Sequence, residues 1–229
     1  MCKINVIIPA YNEEGSIGKV IKDIPAIVDE IIVVNNNSTD NTAAVAQTAG
    51  ATVLTETKAG YGYACLKGME YVAYKIIKPD IIVFLDGDYS DYPEELEKLI
   101  APIIQNDIDF VIGARIKKLR APGSMTVQQI FGNWLATFLM KIIYSSKFTD
   151  LGPFRAIKYD KLLQLQMTDK TYGWTVEMQL KAMKQKMSYV EIPVQYRNRI
   201  GLSKISGTLK GTVMAGIKII GWIIKYSFK

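Results

Sequence analysis

The sequence predicts an α/β fold, a mostly parallel sheet flanked by helices, from two observations. Short runs of β-branched and aliphatic residues alternate with helix-like segments from residue 3 to residue 115. Each apolar run ends in polar turn residues. This pattern is expected for buried parallel strands, because the loops that follow them all lie at one edge of the sheet. With 229 residues, 49 % of them hydrophobic, the chain is long enough for one such domain with a sizeable core.

Proline, glycine and helix-capping residues predict where the strands and helices of the first half begin and end. Pro9 closes the first strand, Ser16 is placed to cap the first helix, and Pro25 ends it. Gly50 stops the second helix, and a proline followed by two glutamates opens the helix at residue 93. The predicted strands are 4–8, 30–34, 51–55, 81–85 and 110–113, and the predicted helices are 17–24, 41–49, 65–75 and one from 93.

The second half of the sequence lacks the regular alternation of strands and helices. Residues 131–144 predict a strongly apolar helix whose only charged residue is Lys141. Residues 150–155 are rich in turn formers, a helix is predicted from Trp174, and 189–194 reads as a strand.

The C-terminal tail predicts a basic amphipathic helix. Its lysines, at 210, 218, 225 and 229, fall within about 100° of arc on a helical wheel. Its apolar runs are far shorter than the ~20 residues that span a bilayer. We expect this helix to lie on a membrane surface; the alternative is packing on the core or on the second subunit of a homodimer.

Charge and composition narrow the classes of function. A net charge of +6 favours anionic partners, but the basic residues are not interleaved with an RNA- or DNA-binding motif, so nucleic acid is not expected. With no histidine, Ser-His-Asp and Cys-His catalysis and His-ligated zinc are excluded. Two cysteines without metal-ligand spacing, and an N-terminus without a signal peptide, predict a cytoplasmic protein.

The stretch from Ile81 to Asp88 predicts the functional centre. A buried strand ends in Asp86, Gly87 and Asp88, where an α/β sheet binds its ligands. Two carboxylates there, with a glycine that permits close approach, would hold a hard divalent cation shared with nucleotide phosphates. A solvated Asp-Gly turn is the alternative. The glycine-containing loop 58–64 before a helix is a weaker phosphate-binding signal.

Several motifs together resemble glycosyltransferase family 2. They are Ile-Pro-Ala-Tyr-Asn-Glu-Glu (8–14), Val-Val-Asn-Asn-Asn-Ser-Thr-Asp-Asn-Thr (33–42) and Asp-Gly-Asp (86–88). Gly-Ala-Arg (113–115), Asp-Leu-Gly-Pro-Phe-Arg-Ala (150–156) and residues 196–207 resemble the dolichol-phosphate mannose synthase branch. The resemblance implies a GT-A domain over 1–206, with a nucleotide-sugar half (1–115) and an acceptor half (116–206), followed by the tail helix (207–229).

The resemblance also implies a donor site. Pro9, Ala10, Tyr11 and Glu13 would line the base and ribose pocket, Asn35 and Asp40 would contact the nucleoside, and Lys58 would approach the donor. Asp86 and Asp88, around Gly87, would hold Mg²⁺ or Mn²⁺ and the diphosphate.

Two positions depart from the family pattern. Asn35 stands where the family usually has Asp, and its neutral amide favours a uridine donor over guanosine. Ser90 stands where the synthases often carry a glutamine metal ligand.

The acceptor side is implied in the same way. Arg115, Arg197, Arg199, Ser203 and Lys204 resemble the synthase's phosphate-binding residues, with a solvated basic face as the alternative. If the acceptor needs a general base, Glu177 is the candidate, unless it is an ordinary glutamate at a helix start. Asp150 is a second candidate, for positioning the acceptor or the ion.

The expected function is therefore metal-dependent, inverting transfer of a hexose from a UDP- or GDP-sugar to a polyprenyl phosphate at the inner membrane face. Catalysis would involve Asp88, Arg115, Asp150 and Glu177. Transfer to a soluble or glycan hydroxyl, and a non-catalytic nucleotide-sugar-binding subunit, are the alternatives.

Overall fold

A computed structural model describes residues 2–201 and 209–227, with side chains from residue 214 onward in the second range. Strands and helices alternate through the chain. The strands are β1 Ile4–Ala10, β2 Glu30–Asn35, β3 Thr52–Thr55, β4 Ile81–Phe84, β5 Phe110–Ala114, β6 Arg155–Lys158 and β7 Tyr189–Pro193. The helices are α1 Ile17–Asp23, α2 Thr42–Thr48, α3 Tyr61–Tyr74, α4 Leu96–Asn106, α5 Val127–Tyr144, α6 Tyr159–Leu165, α7 Trp174–Lys184 and α8 Leu209–Ser227.

The seven strands of the described residues form one sheet in the order β3-β2-β1-β4-β6-β5-β7. Every neighbouring pair is parallel except the two that involve β6, which runs antiparallel to both β4 and β5. The predicted α/β class with a mostly parallel, helix-flanked sheet is confirmed.

Strand β6 and helix α6 were not predicted from the sequence. The strand has only two apolar residues between Arg155 and Lys158, and it follows a turn-rich stretch. Its partners are distant in sequence: Ala156 lies opposite both Val83 of β4 and Val111 of β5. Cross-strand pairing on both sides stabilises a segment whose own residues give a weak strand signal.

The sheet separates two apolar cores. In β1, Val6 and Ile8 face the core covered by α1, α2 and α4, whereas Ile7 faces the core covered by α3 and by α5 to α8. Because successive side chains of a strand point to opposite faces, the continuous apolar runs read from the sequence are those of strands buried on both sides.

Two helix starts differ from the prediction. Ser16 precedes α1, but its hydroxyl makes no cap bond; it donates to the backbone oxygen and to Oε2 of Glu13. Helix α3 begins at Tyr61 rather than near Cys65, directly after Gly60, whose φ of 152° suits glycine. The first turn of α3 is thereby brought to the carboxyl edge of the sheet.

Helix α8 packs on α5 and α7. Ile223 is fully buried, and the Tyr144 hydroxyl donates to its backbone oxygen. The opposite face exposes Met214, Ile217 and Ile224. Among the described residues, no helix is both long and apolar enough to cross a membrane.

Candidate active site

A cleft of about 330 Å³ opens at the carboxyl ends of β1, β2 and β4. Strands β2 and β3 extend the sheet to one side of β1, and β4 extends it to the other, so the cleft lies at a topological switch point, where such sheets bind ligands. The lining residues come from three strand ends and three further segments: Pro9, Ala10, Tyr11, Glu13, Asn36, Asn37, Ala59, Gly60, Tyr61, Asp86, Gly87, Asp88, Thr171, Tyr172 and Arg199.

The two predicted metal carboxylates both line this cleft. Asp86 Oδ1 accepts a hydrogen bond from the Tyr61 hydroxyl at 3.0 Å. Burial, followed by the negative charge of Asp88, raises the pKa of Asp86 to about 7. Asp88 Oδ1 accepts from the backbone N–H and the hydroxyl of Ser90, and its Oδ2 lies 3.2 Å from Nη1 of Arg199.

The Asp86–Asp88 pair fits a hard divalent cation. Both donors are carboxylate oxygens, which are the ligands that hard cations prefer, and the pKa of Asp86 is raised first by burial and then by the negative charge of Asp88. Within the described ranges, no group of three or more acidic, cysteine or histidine side chains converges on one point. A cation held here would therefore complete its shell with diphosphate oxygens and water, as Mg²⁺ commonly does.

Asn36 fixes the glycine loop at the edge of the cleft. Its Nδ2 donates to the backbone oxygens of Glu56 and Lys58 at 3.0 and 2.7 Å, and its Oδ1 accepts from Gly60 N at 2.8 Å. The neighbouring Asn35 does not line the cleft, and its Oδ1 accepts from Ser38 N within the following turn. The structure thus brings Asn36, which the sequence left unassigned, to the position where we expected Asn35.

Substitution of these two neighbours separates their roles. We expect Asn36→Ala to raise the Kd for UDP about tenfold, because it removes three hydrogen bonds that order the loop. Asn35→Ala, the matched control, should change the Kd less than about twofold. Calorimetric titration with UDP and Mn²⁺ measures both. The reverse ranking would mean that Asn35 contacts the nucleoside directly, as the family resemblance implied.

Two other predicted donor residues lie beside the cleft rather than in its wall. Asp40 accepts hydrogen bonds from the backbone N–H groups of Thr42 and Glu14. Burial raises the pKa of Asp40, but these bonds and one from the Thr42 hydroxyl outweigh it, so the pKa is below its usual value. Lys58 places its Nζ 5.7 Å from the centre of the Tyr63 ring. Their contact with a donor remains a prediction.

The far wall of the cleft, Thr171 and Tyr172, was missed by sequence reasoning. These residues precede α7 and reach the cleft because the segment 169–170 packs on the glycine loop, where Tyr63 N donates to the Lys170 oxygen. No local motif marks them. Tyr61, whose hydroxyl positions Asp86, was readable as part of the glycine loop, but nothing in the loop distinguished it from Tyr63.

Arg115 and Asp150 form a buried bidentate pair. Arg115 Nε and Nη2 donate to the two carboxylate oxygens at 2.8 and 2.7 Å, and Arg115 N donates to Oδ2. Burial raises the pKa of Asp150, but the guanidinium outweighs it, and the pKa of the carboxyl is lowered.

The Arg115–Asp150 pair lines a second concavity, a groove of about 510 Å³ between the end of β5 and helix α5. The groove joins basic and apolar side chains: Arg115, Lys117, Arg120 and Lys141 with Ile130, Trp134, Phe138 and Phe148.

The other predicted phosphate ligands are distributed differently. Arg199 lines the donor cleft, where Nη2 is 2.8 Å from Glu13 Oε1 and Nη1 faces Asp88. Arg197 lies over the rings of Tyr89 and Tyr92 and donates to the backbone oxygens of Tyr89 and Asp91. It therefore holds the loop that follows Asp88. Ser203 and Lys204 lie outside the described residues.

Glu177 is not brought to either concavity. Its fully buried carboxylate accepts from the backbone N–H groups of Thr168 and Asp169 and from the Thr168 hydroxyl, and it pairs with Lys181 at 2.8 Å. The position of Glu177 in the first turn of α7 thus serves to hold the preceding turn. The geometry does not support the general-base role considered from the sequence.

Residues 5–165 match the family model described as glycosyl transferase family 2. The chain belongs to this family. An uncharacterized glycosyltransferase of Mycobacterium tuberculosis is 32 % identical over 215 residues, covering 93 % of this chain and 94 % of the relative. A dolichyl-phosphate hexose transferase of Haloferax volcanii is 31 % identical over 210 residues, covering 87 % of this chain and 85 % of the relative.

Solved structures share the fold of this family 2 glycosyltransferase. Glucosyl-3-phosphoglycerate synthase of Mycobacterium tuberculosis, crystallised with Mn²⁺, UDP and phosphoglyceric acid, superposes with a TM-score of 0.79 at 20 % identity, covering 99 % of this chain and 78 % of the other. The same enzyme crystallised with Mg²⁺ and UDP gives a TM-score of 0.78 at 20 % identity, covering 99 % and 80 %. The fold is therefore the nucleotide-sugar-binding GT-A fold, and the chain is a glycosyltransferase.

Proposed function

We propose that this glycosyltransferase moves a hexose from a nucleotide sugar to a polyprenyl phosphate at a membrane surface, with inversion. The observation that carries the proposal is the groove beside the donor cleft. Its cations suit a phosphate, and its aromatic wall suits a hydrocarbon chain. The similarity to a dolichyl-phosphate hexose transferase supports the same acceptor class.

The donor would lie in the cleft with its diphosphate near Asp86, Asp88 and Arg199. A cation bound by the two aspartates would supply charge stabilisation for the departing nucleoside diphosphate. Arg199 would exchange its present partners, Glu13 and Asp88, for diphosphate oxygens. A uridine donor is favoured by the UDP complexes of the fold relatives.

The state of the acidic residues favours an acceptor that is already an anion. The carboxylates lining the cleft and the groove are each hydrogen-bonded or ion-paired: Glu13 with Arg199, Asp86 with Tyr61, Asp88 with Ser90, and Asp150 with Arg115. A hydroxyl acceptor needs a base to remove its proton. A phosphate monoester, with its second pKa near about 6, already carries a nucleophilic oxyanion at neutral pH.

Helix α5 supports the membrane part of the proposal. Phe131, Trp134 and Phe138 follow helical spacing, pack ring on ring at 5.9 and 5.4 Å, and stay about half exposed. Val127 and Ile142, on the same helix, are also apolar and exposed. Aromatic and aliphatic side chains beside lysines are typical of a helix lying in a membrane interface. We propose that α5 and α8 hold the enzyme at the cytoplasmic face.

A small phosphorylated acceptor is the second candidate. The solved fold relative binds phosphoglyceric acid, and the basic residues of the groove would also suit such an anion. The exposed aromatic residues of α5 favour the lipid, because a small polar acceptor has no hydrocarbon chain to pack against them.

Transfer assays distinguish the acceptors. We expect label from a UDP- or GDP-sugar, with Mn²⁺, to enter the organic phase only when polyprenyl phosphate is present, and not with polyprenol. Label that appears only in a water-soluble product with 3-phosphoglycerate would favour the second candidate. Donor binding without transfer to any acceptor would contradict both.

The aromatic residues of α5 give a further test. Trp134→Ser should weaken binding to vesicles containing anionic lipid about fivefold, because it removes apolar contact area at the interface. Ile104→Ser is a matched control, since Ile104 is also 54 % exposed but lies on α4, on the opposite face of the sheet. Vesicle flotation measures both. Equal binding of the two variants would argue against α5 as the membrane contact.

A further inference from the structure

Helix α8 reaches the wall of the donor cleft through one buried carboxylate, Asp169. Trp222 Nε1 donates to Asp169 Oδ2 at 2.6 Å, and Lys218 Nζ lies 3.1 Å from the same oxygen. Both partners belong to α8 and are four residues apart, so they present one face of that helix. Asp169 is only 2 % exposed, and a carboxylate so shielded from water depends strongly on its partners.

The other oxygen of Asp169 organises the turn that forms the wall. Oδ1 accepts from Thr171 N at 2.7 Å and from Gly173 N at 3.0 Å. These bonds close the backbone of 169–173 around the carboxylate. Thr171 and Tyr172, inside that turn, line the cleft. One side chain therefore joins α8 to two residues of the donor cleft.

The turn is also confined from the opposite side. Tyr63 N donates to the Lys170 oxygen at 3.1 Å, and a Cβ added to Gly60 or Gly62 would overlap the carbonyl of Lys170 or Asp169. A Cβ added to Gly173 would overlap the Trp222 indole. The 169–173 turn is thus held between the glycine loop and α8. Movement of either neighbour would therefore displace Thr171 and Tyr172 in the cleft wall.

We propose that Trp222, Lys218 and Asp169 are positioning residues for the nucleotide-sugar donor, so that α8 completes the donor cleft from behind. The inference rests on the proposed function in one respect, that the cleft takes the donor. It assigns α8 a role in donor affinity that is separate from any contact with lipid. The three side chains do not touch the cleft themselves and act through Thr171 and Tyr172.

Calorimetric titration of the full chain with UDP and Mn²⁺, repeated with GDP, tests this assignment. Trp222→Phe keeps an aromatic ring but deletes the N–H donor, and we expect it to raise the Kd for the nucleotide about five- to tenfold. Lys218→Met should raise it about threefold. Lys67→Met is the control, because it removes the same charge from an exposed ion pair with Glu70 on α3 rather than from a contact with Asp169 or Trp222. We expect less than a twofold change for that control.

Thermal unfolding of each variant, followed by circular dichroism, separates positioning from stability. Weakened nucleotide binding by Trp222→Phe and Lys218→Met, at a temperature where both are fully folded, would support the proposal. If Trp222→Phe and Lys218→Met both bind the nucleotide as tightly as the wild type, the proposal is overturned while the proposed function stands. If the wild type itself binds neither UDP nor GDP, the donor assignment of the cleft fails, and this proposal with it.

Discussion

Asp88→Asn is expected to reduce sugar transfer by roughly 10²- to 10⁴-fold, since a metal ion that stabilises a leaving diphosphate is worth several kcal/mol in the transition state. The asparagine can still accept the Ser90 hydrogen bonds through its oxygen, so the loop after β4 keeps its shape. The substitution removes one negative charge beside Asp86 and, with it, the part-exposed ion pair with Arg199. The effect should therefore appear in turnover and metal dependence rather than in stability.

The Asp88→Asn measurement is initial-rate transfer with Mn²⁺ titrated from zero, with thermal unfolding as the check on folding. Asp107→Asn is a suitable control: this exposed carboxylate ends α4 in a left-handed conformation with φ of 57°, which asparagine tolerates well. Removal of metal by EDTA should abolish wild-type transfer to the same extent. Full activity in EDTA would contradict the assignment of the two aspartates to a metal.

Arg115→Met is expected to lower the free energy of unfolding by roughly 3–5 kcal/mol, because it leaves the Asp150 carboxylate buried without its partner. The pair is nearly inaccessible, with side-chain exposures of 10 % and 6 %. Adding Asp150→Asn to Arg115→Met should recover part of the loss, since the uncompensated charge is then removed. Urea unfolding of the wild type, both single variants and the double variant measures this coupling.

The decrease in the free energy of unfolding caused by Arg115→Met should become smaller as the pH falls. In the wild type the folded-state pKa of Asp150 is below its unfolded value, so its stabilisation is present above about pH 4 and is lost as the pH falls through the folded pKa. Without the guanidinium, burial raises that pKa above the unfolded value. The variant should then regain stability relative to the wild type as the pH falls from neutral towards about 4, the unfolded-state pKa. A stability difference between the variant and the wild type that stays constant from neutral pH down to about pH 4 would mean that Asp150 is not the source of the loss.

Several features of this enzyme followed from local residue patterns. Asp86 and Asp88 line the cleft because they follow a short β-branched apolar run that forms a buried strand, and the carboxyl end of that strand is the functional edge of the sheet. Pro9 to Glu13 reach the cleft for the same reason, at the end of the neighbouring parallel strand.

Other features depended on which face a residue presents after folding. Asn35 and Asn36 are chemically identical neighbours, and only the path of the chain after β2 decides that Asn36 orders the glycine loop. Glu177 has the residue type and helix position of a catalytic carboxylate, yet its backbone donors come from the turn 168–169. Neither outcome can be inferred from spacing, because both depend on contacts between separate segments.

The sequence by itself thus determined the α/β class, the family and the carboxylate pair, since strand burial, turn chemistry and motif order are properties of contiguous residues. The tertiary structure alone decided the antiparallel insertion of β6, the Arg115–Asp150 pair, the 169–173 wall and its attachment to α8. Each of these joins residues that are distant along the chain, such as Arg115 and Asp150, 35 positions apart, and Asp169 and Trp222, 53 positions apart. Such contacts form only because burial of the two cores brings separate segments together, and no local periodicity encodes them.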